Sequence, residues 1–474
     1  MNQKINGYIL LTLFLLLFPS KSFHLELPIT LNNKVRQNND SSNENSFNST
    51  DFIQYFQKNK QNKDQNLFKY ISSYLSQLEN NLFIYKIKIG SDEQAFKVIL
   101  DTGSSILWIP GIGSEDNGMQ ISHYYNPNTS LTAIKTNCNY KVRYGSGYSL
   151  GDYYIDQVKL FNSTYNNFSF YMNFGVAKKT KFNVQGADGV LGLGRESALL
   201  NYSPLFCLKN SNIIENEGFS IKYNNELKNA ILFFGDEHED FKKKSVGFCP
   251  LASKTCKEKN FWSCELFSFG IINDKINSSI NLNLSVIFDT GTNAIVLPRY
   301  ILCFLNNQLK KIDCEINRLS LEISNIICLN KKTLPDLVFE IGNYYLTLSN
   351  KSFISYDQSA FNNTGAYILN VYFEEGIEMG VIGLPFFYEF HTRFDLDKNI
   401  MKFFSNDKKI NKSHKRKINK KDINFKLKIL IIILSFITLT LFIISIKYKY
   451  SCIKKESGKI EIISSDKIGL LPES

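Results

Sequence analysis

The chain has 474 residues, 43% of them hydrophobic and 21% charged, with a formal net charge of +11. Single hydrophobic cores stop growing near ~250–300 residues, so this length is enough for two lobes rather than one. About nine of the net charges sit in one stretch, KKINKSHKRKINKKDINFKLK at 408–428, which reads as a solvated stalk, so the basic balance gives no ground for a nucleic-acid partner.

In chain order, Asn2 and Lys4 lead into an apolar run, Tyr8 to Phe18, followed by Pro19 and the small polar Ser20, Lys21 and Ser22. This is the pattern of a signal peptide over 1–22, too short to span a bilayer comfortably. Residues 23–78 are polar and rich in Asn, Gln, Lys and Ser until DFIQYFQKN (51–59) and LFKYISSYLSQL (67–78), whose apolar spacing is helix-like. From Leu82 the texture changes to strands: FIYKIKIG, FKVILDTG, YKVRYGSG, SFYMNFGVA and GADGVLGLG. The same texture resumes after about residue 225 with AILFFGD, SVIFDTGTNAIVLP, LVFEIGNYYLTLS, AYILNVYF and TRFDLDKNIMKFF, an internal duplication of long period.

A second apolar run, Ile429 to Ile446, carries no charge and is bracketed by Lys426, Lys428, Lys447 and Lys449. Its length and its snorkelling lysines are those of a transmembrane helix. With the signal peptide this predicts a single-pass type I protein whose body is lumenal or extracellular, in the ER, Golgi, an endosomal or vesicular compartment or at the cell surface. The lumenal flank is more basic than the tail, against the positive-inside tendency, but the signal peptide commits the chain before the later helix is made.

Eight cysteines precede the second apolar run: Cys138, Cys207, Cys249, Cys256, Cys264, Cys303, Cys314 and Cys328. An even number in an oxidising compartment predicts disulfides, with the pairing open. There is no CxxC, and the five histidines do not cluster with cysteines, so neither a metal site nor a cofactor is expected. Cys452, just inside the membrane, fits palmitoylation or a plain thiol. Eleven N-x-S/T sequons, at Asn39, Asn48, Asn128, Asn162, Asn167, Asn201, Asn277, Asn283, Asn350, Asn362 and Asn411, are glycosylation candidates.

The chemistry lies in the duplicated motif. VILDTGSSILWIP (98–110) returns as VIFDTGTNAIVLP (286–298), each an apolar strand that ends on Asp-Thr-Gly. An aspartate is rarely buried without partners, so each motif calls for company. Gly103 and Gly291 allow tight turns, Thr102 and Thr290 can bond across the junction of the lobes, and Ser104 and Thr292 can donate to Asp101 and Asp289. If symmetry brings the two aspartates face to face, they share one proton and titrate as a pair. Such a pair can hold a water, one carboxylate removing its proton while the other protonates a carbonyl oxygen under attack. The outcome is amide hydrolysis without metal or covalent intermediate.

With these motifs the chain resembles the pepsin-like aspartic proteases, over roughly residues 24–405. The resemblance implies an all-β, bilobal fold, to which the second apolar run adds one C-terminal transmembrane helix. It implies a propeptide over 23–78, an N-terminal lobe over 79–225 and a C-terminal lobe over 226–405, followed by the basic linker 406–428, the helix 429–446 and a cytosolic tail 447–474. In VRYGSG, Tyr144 matches the tyrosine of the flap, the hairpin that closes over bound peptide, with Ser146 at the turn and with Gly145 and Gly147 implied to give it mobility; Trp108 matches the tryptophan near it. Val190-Leu191-Gly192 and Val381-Ile382-Gly383 match the motifs packed beneath each family aspartate. Cys328 takes a family disulfide position without its usual later partner, leaving Cys303 or Cys314. LELPITLNNK and DFIQYF resemble parts of the family's propeptides, and Lys69, in Phe68-Lys69-Tyr70, matches the lysine that caps the dyad in zymogens.

Two departures from the family are visible: GSDEQAF replaces the usual Gly-Thr-Pro turn, and the short disulfide loop after the first motif is absent. They place the chain nearer the membrane-anchored members, the beta-secretase and plasmepsin V types. Asp466 with Leu470 and Leu471 fits an acidic dileucine signal for sorting adaptors, and Tyr450 to Ile453 a tyrosine-based one. The expectation is therefore a membrane-anchored aspartic endopeptidase, made as a zymogen, acting on peptide or protein substrates. The alternative is a catalytically silent binding or sorting receptor on the same fold. That receptor would tolerate damage to the dyad or flap, and Asp101, Asp289, Ser104, Thr292 and Tyr144 are all intact.

Overall fold

The computed structural model describes residues 70–77, 82–117, 121–160, 168–182, 186–195, 203–225, 228–238, 245–252, 260–358 and 365–405, with 414–415 and the single positions 438, 440, 441 and 444. All belong to one compact unit, 47–474. The expected signal peptide, most of the propeptide with Lys69, Cys256, most of the basic linker and the tail with Asp466, Leu470 and Leu471 lie outside the described residues. Among the described residues no helix is long and apolar enough to cross a membrane. Of the expected span only Thr438, Thr440, Leu441 and Ile444 are described, and they are helical.

The N-terminal half alternates buried and exposed positions at the strand period. It forms β1 (Tyr70–Gln77), β2 (Phe83–Ile89), β3 (Gln94–Asp101), β4 (Leu107–Asn117), β5 (Ile134–Tyr144), β6 (Gly147–Leu160), β7 (Phe168–Phe182) and β8 (Gly189–Gly192). After the short helix α1 (Pro204–Asn210), capped by the Ser203 side chain, come β9 (Gly218–Asn224), β10 (Asn229–Gly235) and β11 (Gly247–Pro250). The second lobe contains β12 (Ser263–Ile272), β13 (Asn277–Phe288), β14 (Ile295–Pro298), helix α2 (Tyr300–Leu309), β15 (Cys314–Arg318), β16 (Ile323–Cys328), β17 (Asp336–Ile341), β18 (Tyr344–Leu348), β19 (Ile354–Asp357), β20 (Ala366–Glu374) and β21 (Gly380–Ile382). Helix α3 (Leu384–Glu389), β22 (Phe390–Asp395), β23 (Ile400–Ser405) and a two-residue β24 (His414–Lys415) complete the order.

The strands form two sheets. One runs β11-β23-β22-β9-β10-β1-β2-β3-β8-β4-β7-β6-β5, the other β15-β16-β20-β14-β21-β13-β12-β17-β18-β24, with β19 beside β20. In the first, β3 lies parallel to β8, β4 crosses back antiparallel to β8, and β4 is parallel to β7. The second lobe repeats this arrangement: β13 parallel to β21, β14 antiparallel to β21 and parallel to β20. The duplication legible in the sequence is therefore a duplication of topology. Leu191 and Ile382 lie in the strands paired beside each motif strand, as the resemblance implied.

Within the helix-like pattern over 67–78, Tyr70–Gln77 form a strand and not a helix. Tyr70–Leu75 pair with β10, and Ser76 and Gln77 pair with β2, so β1 is the strand that joins the central sheet to the N-terminal lobe. The local spacing loses because a helix there would leave the outward N–H and C=O groups of β10 without strand partners.

Two disulfides join described cysteines, Cys249 to Cys264 and Cys314 to Cys328. Cys314, not Cys303, is thus the partner of Cys328, and the bond ties β15 to β16 in direct register. Cys138 and Cys303 are exposed thiols, against the expectation of a disulfide for each. They lie on β5 and α2, in different lobes, and a bridge requires Cα atoms within ~7 Å. Cys207 is buried within α1 and is likewise outside the two disulfides. The core runs without interruption through both lobes, with Trp108 and Trp262 fully buried in it.

Candidate active site

Asp101 is the last residue of β3, and Asp289 follows the end of β13. Each strand is flanked by a parallel neighbour, which leaves its end free to turn out of the sheet. Leu193 donates its N–H to the Asp101 carbonyl at 2.7 Å, and Asp289 donates its N–H to the Ile382 carbonyl at 3.0 Å, so each turn is held from behind, the first aspartate accepting and the second donating.

The two turns are tied to each other by their threonines. Thr102 N–H donates to Thr290 Oγ1 at 3.1 Å, and Thr290 N–H donates to Thr102 Oγ1 at 3.0 Å. Each hydroxyl then donates onward to the opposite strand, Thr102 to the Phe288 carbonyl at 2.8 Å and Thr290 to the Leu100 carbonyl at 2.7 Å. Both threonines are fully buried. Four buried bonds thus close a ring across the lobe boundary, each hydroxyl both accepting and donating, with no donor left over.

This ring sets the carboxylates opposite one another. A Cβ on Gly103 would lie 2.6 Å from the Asp289 carboxyl carbon, and one on Gly291 would lie 2.5 Å from Asp101 Oδ1. Each aspartate therefore sits over the glycine of the other motif, and any side chain there would displace it. Within each loop the carboxylate accepts from the glycine N–H at 2.8 Å and from the next hydroxyl, Ser104 for Asp101 and Thr292 for Asp289, the latter at 2.6 Å. Burial first, and then the negative charge of Asp289, push the Asp101 carboxyl well above its ordinary value of 3.8. A pair so placed holds one proton between two oxygens and can give and take protons at the same time.

The hairpin that the resemblance assigns as the flap is β5–β6, closed by Gly145 and Ser146. Tyr144 accepts a hydrogen bond from Trp108 Nε1 at 2.9 Å, and its phenol is pushed up by burial and by Asp101, so it stays protonated and can donate. Gly145 has open space around it. A Cβ on Gly147 would collide with the Lys181 carbonyl, so this glycine lets β7 approach the hairpin. Phe182, which sequence reasoning missed, completes the wall, its ring 4.9 Å from Tyr144 and 5.4 Å from Trp108. The alternation of Phe170, Met172 and Phe174 does not extend to Phe182, because the ladder of β7 with β6 shifts register between Leu150 and Gly151.

Two more contacts across the lobes were not anticipated. Trp262 Nε1 donates to the Leu193 carbonyl at 2.6 Å, and the Arg195 guanidinium donates to the carbonyls of Ala252 and Phe261 and to Asn399 Oδ1 at 3.0–3.3 Å. Among the described residues no group of His, Cys, Asp and Glu is arranged to hold a metal ion.

Two aspartates facing each other across a pseudo-twofold, under a tyrosine-bearing hairpin, define an aspartic-type hydrolase site. The chain belongs to the eukaryotic aspartyl protease family, which its residues 82–405 match. It is 24% identical over 325 residues to a probable vacuolar protease A of Trichophyton verrucosum, covering 67% of this chain and 77% of that protein. It is 25% identical over 321 residues to embryonic pepsinogen of Gallus gallus, covering 66% and 77%, and 27% identical over 332 residues to pepsin II-1 of Oryctolagus cuniculus, covering 68% and 81%. The protein is an aspartic endopeptidase, a hydrolase of peptide or protein substrates.

Replacing Thr290 by Val removes a hydroxyl that serves two buried bonds and leaves the Leu100 carbonyl and the Thr102 N–H unpaired. The expected loss is about 2–3 kcal/mol, with Thr290→Ser recovering most of it, measured by urea unfolding of the full chain. Equal stability of the Val and Ser variants would contradict the role of the ring. A second expectation concerns pH. A carboxyl that titrates higher in the folded than in the unfolded chain contributes stability that is complete below its unfolded value and lost as pH rises through its folded value. Asp101→Asn is therefore expected to match the wild type near about pH 3 and to exceed it increasingly toward neutrality; a constant difference across that range would show that Asp101 is not raised.

Proposed function

We propose that Asp101 and Asp289 carry the reaction and that they act on an extended peptide held beneath Tyr144. The observation that carries this reading is the mutual seating of each carboxylate over the other motif's glycine, which leaves the buried Asp101 and the half-buried Asp289 as one proton-sharing pair. One carboxylate takes a proton from a bound water as the water attacks the scissile carbonyl, and the other gives its proton to the carbonyl oxygen. Ser104 and Thr292, with the two glycine N–H groups, hold the carboxylates in place as charge shifts between them. Tyr144, kept protonated, closes over the substrate, whose backbone pairs as an added strand.

The protein is made as a zymogen and anchored by one helix over 429–446, with its body lumenal and the tail available to sorting adaptors. The apolar run with its flanking lysines and the signal peptide pattern support this reading. So does the basic composition of the segment 406–428 between β23 and the apolar run, of which His414 and Lys415 pair with β18. Lys69 is the cap of the immature site: an ammonium beside two carboxylates favours both being charged and takes the place of the water.

Activity of the full chain at acid pH is expected to stay with carbonate-washed membranes and to fall by at least about a thousandfold in Asp289→Asn. Cleavage by that variant at the wild-type rate would refute the assignment, and release of the activity into the wash would refute the anchor. Lys69→Ala is expected to self-activate faster near neutral pH, followed as the appearance of the shortened chain on a gel. An unchanged rate would remove Lys69 from the inhibitory contact.

A further inference from the structure

The face of the flap sheet turned away from Asp101 is basic in a way that the overall composition does not explain. With the stretch 408–428 set aside, only about +2 of the net charge remains for the rest of the chain. On the inner side stand Tyr144, Ser149, Thr180 and Phe182. Strand register puts the residues between them on the outer side. Arg143 is paired with Tyr148 and Tyr148 with Lys181; Lys141 is paired with Leu150 and Leu150 with Lys179. Directly opposed residues of antiparallel strands share a face, so two rows, each cation–apolar–cation, run side by side across three strands.

Toward the base of the hairpin the charges are matched. Asp152, on the same face, takes Lys135 at 3.0 Å and Lys178 at 2.9 Å, and Lys179 takes Glu115 at 2.7 Å. Toward the tip they are not: among the described residues no carboxylate contacts Lys141, Arg143 or Lys181, and all three are exposed. Like charges on one sheet face repel, and an anion lying among them turns that repulsion into attraction. Tyr148 and Leu150, half-buried between the cations, offer apolar surface to the same occupant.

The patch is also close to the cleft. Arg143 and Lys181 each adjoin a residue of the inner wall, Tyr144 and Phe182, so one sheet separates the two sides. Extended chain covers about 10 Å in three residues, roughly the spacing of packed sheets, so a substrate leaving the cleft reaches the outer face within a few residues. We propose that this face docks an acidic segment of the substrate flanking the scissile peptide, and that the protease selects proteins carrying such a segment. The inference rests on the peptidase reading of the dyad and deepens it by naming the substrate class.

The test compares two peptides sharing one cleavable core, one extended by four Asp and Glu residues and one by four Ser and Gly residues, with the full chain at about pH 5, where carboxylates are mostly charged. The wild type is expected to show a KM about tenfold lower for the acidic peptide with kcat unchanged, because the contact is made equally before and during the reaction. Raising salt from about 0.1 M to about 1 M, which shortens the screening length from about 10 Å to about 3 Å, is expected to erase the difference. The triple variant Lys141→Glu, Arg143→Glu, Lys181→Glu is expected to lose the preference while cleaving the neutral peptide as the wild type does. Equal KM values for both peptides in the wild type overturn the proposal, as does a preference that survives the triple variant. So does a variant that loses only its binding to vesicles containing 20% phosphatidylserine while keeping the preference. Failure to cleave the neutral peptide at all would instead count against the peptidase reading, so the two failures are distinct.

Discussion

The reciprocal bonds between Thr102 and Thr290 are the constraint on which the rest of the molecule depends. They join two loops 188 residues apart by pairing each backbone N–H with the other loop's hydroxyl. Because both threonines are fully buried, the bonds cannot be exchanged for bonds to water, and breaking one leaves its partner unsatisfied in a low-dielectric interior. The lobes are therefore held in a single relative position at the one place where two carboxylates must be opposed. Burying Asp101 and opposing it to a second carboxylate both cost energy, which appears as its raised titration and is offset by the bonds around it.

The surrounding structure repeats this logic at larger scale. The strand that ends in each aspartate is flanked by a parallel partner, and a crossing strand closes the loop behind it, in both lobes. The central sheet adds β1, whose two ends pair with different neighbours and so carry one hydrogen-bonded ladder from one part of the molecule to the next. Trp262 and Arg195 add contacts from the second lobe and the central sheet to the loop after Gly192. What differs between the halves is as informative as what repeats: among the described residues only the first lobe carries the tyrosine hairpin over the dyad, so the cleft is symmetric in its chemistry and asymmetric in its cover.

Much of the site was legible in advance because its parts are local. Asp-Thr-Gly followed by Ser or Thr places a carboxylate, a turn and a donor within four residues, and those contacts form as the motif alone implies. Tyr144 could be placed with Trp108 only through resemblance, since 36 residues separate them and no spacing rule links them. Phe182 and the close approach of β7 to Gly147 were not legible for the same reason: each depends on which strand lies next to it. The segment 67–78 shows the limit most clearly. Its helical spacing is real, but strand pairing with β10 and β2 decides its state.

The amino-acid sequence by itself determined the duplication, the two aspartates, the strand texture of both halves and the apolar runs at either end, because each is written in short-range pattern or composition. The tertiary structure alone decided that Asp101 and Asp289 meet, that Cys328 pairs with Cys314, and that Lys141, Arg143 and Lys181 gather on one face of the flap. Those outcomes depend on register and on closing long loops, and residues far apart in the chain become neighbours only when buried backbone groups have found their partners.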